Sequence, residues 1–110
     1  MRATLIFLFL IYFTHSFAQE ENRISVEKYT LTGYIKDEKN GETLTGAMVS
    51  KYGSNLGVSA NEYGFYSLTL PKGEHVISVS IIGYKTFTFS VILDQNINKI
   101  FELKEDGKNL

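Results

Sequence analysis

From Tyr29 onward the chain alternates between apolar and polar side chains with a period of two. Leu31, Gly33 and Ile35 interleave with Thr30, Thr32, Tyr34 and Lys36. Tyr66, Leu68 and Leu70 interleave with Phe65, Ser67 and Thr69. Ile77, Val79 and Ile81 interleave with Val76, Ser78 and Ser80, and Phe87, Phe89 and Val91 with Thr86, Thr88 and Ser90. Such alternation makes a strand with one buried face. Further strands are predicted from about Ala47 to Tyr52, as a short edge piece over Leu56–Ser59, and as a last strand carrying Ile97, Phe101 and Leu103. Turn residues separate them: Asp37–Gly41, Gly53–Asn55, Asn61–Gly64, Pro71–Gly73, Gly83 and Asp94–Asn96. Asparagine and glycine tolerate the turn conformations, and proline cannot donate to a ladder. Short strands at this spacing, with no helical period, predict an all-β sandwich or small barrel.

The first residues follow a different rule. Arg2 precedes an unbroken apolar run from Leu5 to Phe13, and Ser16-Phe17-Ala18 places small residues where a signal peptidase needs them. A membrane span needs roughly 20 apolar residues, about twice this run. Residues 1–18 are therefore expected to be a secretory signal peptide, cut between Ala18 and Gln19, and the mature chain is expected to hold no membrane span. Residues 19–28 read as a polar leader, 29–104 as the β-domain and 105–110 as a polar exit, where a linker to a further segment is expected to begin.

Composition narrows what such a domain does. The chain has 110 residues, 11 basic and 12 acidic, and no cysteine. Losing Arg2 with the leader leaves 10 and 12, a net charge of −2. The lysines are scattered singly, so no basic face is available for nucleic acid. Without disulfides the core must hold by packing, to which eight Phe and seven Tyr contribute large buried areas.

No catalytic constellation emerges. His15 leaves with the leader, so the mature chain keeps His75 alone, expected at an edge or on the surface. No thiol exists, and no carboxylates cluster near His75 to complete a metal site. No serine sits in a Gly-x-Ser-x-Gly elbow, and no glycine run matches a phosphate loop. The carboxylates, Asp37 among them, fall mostly in turns and tails and are expected to be solvated. Catalytic residues, metals and cofactors are therefore expected to be absent. Tyr63 and Phe65 lie opposite the core-facing register, which makes them the candidate exposed aromatics for partner binding, such as to a glycan.

Several motifs in order resemble one family. Leu31-Thr32-Gly33-Tyr34-Ile35-Lys36-Asp37 and Leu44-Thr45-Gly46-Ala47-Met48-Val49 are similar to the opening of the carboxypeptidase-regulatory-like domain. Gly64-Phe65-Tyr66-Ser67-Leu68-Thr69-Leu70-Pro71-Lys72-Gly73 and Ile82-Gly83-Tyr84-Lys85 continue the likeness. Thr45 replaces the family's usual proline, and Ala60-Asn61 its usual Thr-Asp; asparagine is expected to serve the turn as aspartate does. The resemblance implies a transthyretin-like Greek-key β-sandwich of about seven strands. With the leader, it implies the N-terminal extension of a TonB-dependent outer-membrane nutrient receptor, truncated or stand-alone, on the periplasmic side. Its implied partner is protein, either the plug and barrel of a receptor or another periplasmic protein. The alternative is a free periplasmic or surface binding module for glycan. Purine-pathway hydrolases of this fold carry a terminal motif that Gly107-Lys108-Asn109-Leu110 lacks.

Overall fold

The computed structural model describes residues 25–107. The expected signal peptide, its cut between Ala18 and Gln19, most of the polar leader and the last three residues lie outside the described residues. Eight strands follow in order: β1 (Lys28–Asp37), β2 (Met48–Lys51), β3 (Gly57–Ser59), β4 (Phe65–Pro71), β5 (Gly73–Ser80), β6 (Phe87–Leu93), β7 (Ile97–Asn98) and β8 (Phe101–Leu103). Among the described residues there is no helix.

The strands form two sheets. In one, β1 is central, with β4 antiparallel on one side and β7 and β8 parallel on the other. The second runs β3-β2-β5-β6, antiparallel throughout. Their inner faces are built by parity: Leu31 and Ile35 from β1, Leu68 and Leu70 from β4, Val49 from β2, Ile77 and Val79 from β5, Val91 and Leu93 from β6. The outer faces are mostly polar, as in the Thr30–Thr69 pair, whose hydroxyls lie 2.9 Å apart. This is a β-sandwich with hydrophobic-in, polar-out strands.

The expected last strand is two short ones, because the parallel pairing with β1 is interrupted at Lys99-Ile100, although the register on either side of the break is the same. The Lys99 N–H donates to Thr32 carbonyl oxygen at 2.7 Å, and the buried Tyr66 hydroxyl donates to the Lys99 carbonyl at 2.7 Å. That carbonyl occupies the space above Gly33: a Cβ built there would lie 1.9 Å from the Lys99 oxygen. Gly33 therefore stands at an inward position of β1 so that the backbone of the parallel edge segment can approach it. Burial pushes the Tyr66 phenol up from its ordinary value.

The turn between β3 and β4 confirms the asparagine expectation. Asn61 Oδ1 accepts from the N–H groups of Tyr63 at 2.9 Å and Phe65 at 3.0 Å. Thr45, in the family's proline position, donates its hydroxyl to the Glu62 carbonyl at 3.1 Å.

Candidate functional site

The densest polar chemistry lies where β1 ends. Asp37 follows Leu31, Gly33 and Ile35 on the inward parity of β1 and is buried, at 3% exposure. The expectation of a solvated turn carboxylate is thereby corrected: strand parity carries Asp37 inward before the turn begins. Its Oδ1 accepts from the N–H groups of Lys39 at 2.7 Å and Asn40 at 3.1 Å. Its Oδ2 accepts from the Tyr84 hydroxyl at 2.7 Å, a contact 47 residues away in sequence.

Between these two residues runs the C-terminal segment. The Glu38 N–H donates to Leu103 carbonyl oxygen at 2.9 Å, and the Lys85 N–H to Lys104 carbonyl oxygen at 2.8 Å. Asp106 N–H donates to the Gly83 carbonyl at 2.9 Å, and Tyr84 pairs with Glu105 in an isolated antiparallel bridge. One sheet contributes β1 and β8, and the β5–β6 connection belongs to the other. The Asp37–Tyr84 bond therefore latches the two sheets together at this end, across the strand that separates them.

The electrostatics match a structural carboxylate. The Tyr84 hydroxyl first, and then the Asn40 N–H, hold the Asp37 carboxyl below the ordinary carboxylate range. The same bond, followed by burial, pushes the Tyr84 phenol up to about 12. A general base needs a free lone pair facing a cleft and a pKa near the working pH. Asp37 has both oxygens engaged and is shifted the other way. The adjoining cleft of about 240 Å³ is lined by Asp37, Glu38, Lys39, Leu103, Lys104 and Glu105. Its lining mixes both signs, with Asp37, Glu38 and Glu105 against Lys39 and Lys104, so it presents no concentrated charge of one sign to an ionic ligand.

His75 is buried at 7% exposure, which corrects the expectation of an edge or surface histidine. It stands two residues before Ile77 and shares that residue's inward face. Its Nε2 lies 2.7 Å from the Pro71 carbonyl. A carbonyl only accepts, so Nε2 carries a proton and donates it; Nδ1 is buried and has no hydrogen-bond partner. No carboxylate or hydroxyl is bonded to the ring to activate it. Among the described residues, no group of three or more His, Cys, Asp or Glu is placed to hold a metal ion.

The aromatic candidates separate. Tyr63, in the turn before β4, is 66% exposed. Phe65 lies on the outer face of β4 as the alternation predicts, but it is half-buried, edge-on to Tyr34 with ring centroids 5.4 Å apart at 66°. Tyr34 itself is exposed. Sequence reasoning missed Tyr34 as the partner, although Tyr34 and Phe65 are directly opposite in the β1–β4 register.

The sequence profile of the CarboxypepD_reg-like domain matches residues 31–110. The chain belongs to this family. The matched range includes Gly33, Asp37 and Tyr84. No curated protein sequence matches the chain. Among solved structures, it is similar to the Bacillus anthracis TIE protein, with 20% identity, a TM-score of 0.56 and coverage of 71% of this chain and 17% of that one. It is also similar to a DUF3823 family protein from Parabacteroides merdae, with 15% identity, a TM-score of 0.57 and coverage of 74% of this chain and 48% of that one. At these identities the likeness is one of fold. The CarboxypepD_reg-like chain spans less than half of either protein.

Proposed function

We propose that the chain is a non-catalytic interaction module of the periplasm that serves a TonB-dependent outer-membrane nutrient receptor. The observation that carries this reading is the family match over residues 31–110. Two features support the non-catalytic part. The buried carboxylate, Asp37, is spent on three hydrogen bonds, and the histidine is sealed in the core beside the Pro71 carbonyl. The leader-like order of Arg2, the Leu5–Phe13 run and Ser16-Phe17-Ala18 supports export. The receptor meets the module at its exposed aromatics, Tyr63 and Tyr34, with Phe65 as the support behind Tyr34.

Export is tested by producing the full chain in a Gram-negative host and weighing the protein recovered from the periplasm. The expected species begins at Gln19. Recovery of a species that retains Met1, or retention in the cytoplasm, overturns the reading.

A further inference from the structure

Three of the four sheet edges are short or blocked. On the second sheet, β3 has three residues. On the first, β7 and β8 have two and three. The free side of β4 is blunted at its start, where the Phe65 N–H and carbonyl are both engaged by Asn61, and it ends in Pro71. Short edges and edge prolines are how sheets avoid pairing with foreign strands.

The fourth edge, β6, has no such protection. It runs Phe87-Thr88-Phe89-Ser90-Val91-Ile92-Leu93, seven residues with no charge, no glycine and no proline. Among the described residues its backbone bonds are those to β5, and no other backbone or side-chain bond reaches it. At this edge Phe87 and Ile92 stay exposed, 40% and 64%. Phe87 and Phe89 were expected on the core face; they do lie on it, packed against Phe101, but the open side of the sandwich leaves them incompletely covered.

We propose that β6 is a self-pairing edge, at which two copies of this chain join antiparallel into one continuous eight-stranded sheet. The sequence is self-complementary about Ser90. With Ser90 on the two-fold axis, Phe89 faces Val91, Thr88 faces Ile92 and Phe87 faces Leu93, so inward residues meet inward residues. The flanking charges then select this partner and this direction. Exposed Lys85 precedes the strand and exposed Asp94 follows it. Antiparallel pairing brings Lys85 of each copy beside Asp94 of the other, one residue off the direct pairing and within a lysine's reach. A parallel mate would set lysine on lysine. The assembly closes at two, because the far edge of the enlarged sheet is the three-residue β3.

The test is light scattering with sedimentation on the full exported chain, from micromolar to millimolar concentration. The wild type is expected to reach twice the monomer mass. Ser90 is exposed on the outer face, so Ser90→Lys leaves the monomer intact but sets two ammonium groups against each other across the axis. It is expected to weaken the dimer by about two- to fivefold, the scale of a cross-strand pair interaction with like charges directly opposite. Lys85→Glu is expected to weaken it too, and adding Asp94→Lys to Lys85→Glu to restore it. A wild type that stays monomeric throughout, including one that pairs only with a foreign strand, overturns the proposal. So does a dimer indifferent to Ser90→Lys or, should that variant fail to fold, one indifferent to Lys85→Glu.

Discussion

Gly33→Ala is expected to cost about 4 kcal/mol or more, the exceptional end of single-substitution effects, and enough to unfold most of a domain this size. The new Cβ would lie 1.9 Å from the Lys99 carbonyl oxygen and 2.6 Å from its carbon. Both are backbone atoms, so no side chain can rotate away to make room. The φ of +154° adds strain of its own. Relief requires the Ile97–Leu103 segment to lift off β1. That breaks the pairings of Leu31 with Ile97 and Ile35 with Phe101, and withdraws Phe101 and Leu103 from the core. Two controls separate the close approach from milder effects. Gly53 also has positive φ, +76°, but a Cβ there meets nothing within 4 Å, so Gly53→Ala is expected to cost only about 1–2 kcal/mol. Tyr66→Phe removes the hydroxyl on the Lys99 carbonyl and nothing else, at about 1–2 kcal/mol. Denaturant midpoints of the three variants check the order; a Gly33→Ala protein as stable as Gly53→Ala would mean that the Lys99 backbone does not approach Gly33 so closely.

The second large effect is expected at the latch. Asp37→Ala removes the acceptor for the N–H groups of Lys39 and Asn40 and for the Tyr84 hydroxyl in one step. The Asp37–Gly41 turn loses its internal brace, and the two sheets lose their bond at this end. A fall in Tm on the order of 10 °C is expected. The pH profile carries the same signature. Asp37's folded pKa lies below its unfolded one, so its contribution is present above the ordinary carboxylate range and is lost as pH falls through the depressed value. Tyr84 is shifted the other way, from 10.0 to about 12. Its contribution is present below about 10 and is lost as pH rises from there towards 12. Tyr84→Phe is expected to flatten part of the alkaline decline and to shallow the acid one. Tm measured across pH for wild type and both variants decides it; an unchanged profile in both would show that the bond does not couple the two groups.

Much of the fold was legible because parity in a half-buried strand is a strict signal. Leu31 and Ile35, Leu68 and Leu70, Ile77 and Val79, and Val91 all face inward as the alternation predicts. The same signal, carried one step further, reaches both residues that were misplaced. Asp37 is two beyond Ile35, and His75 is two before Ile77. Polarity suggested surface for each, whereas position in the strand decided burial. What buries Asp37 cheaply is Tyr84, and no local rule relates residues 47 apart.

The edges were less legible. Alternation says which side of a strand faces the core but not whether a neighbour covers it, so Phe87 looked like core and is 40% exposed. The break between β7 and β8 was hidden for a similar reason. Ile97, Phe101 and Leu103 suit one strand, and the interruption at Lys99 answers to Gly33 and Tyr66, residues distant in sequence. Gly33 reads from the sequence as a bulge or turn glycine, whereas the structure sets it under the Lys99 carbonyl.

Photo-crosslinking most directly tests the proposed role of this CarboxypepD_reg-like sandwich, contact with an outer-membrane receptor in place of chemistry. A crosslinker placed at Tyr63 of the full exported chain, in cells grown where outer-membrane uptake is induced, is expected to capture a TonB-dependent barrel protein, identified by mass spectrometry. Capture of periplasmic proteins without any barrel receptor, or of glycan alone, would contradict it.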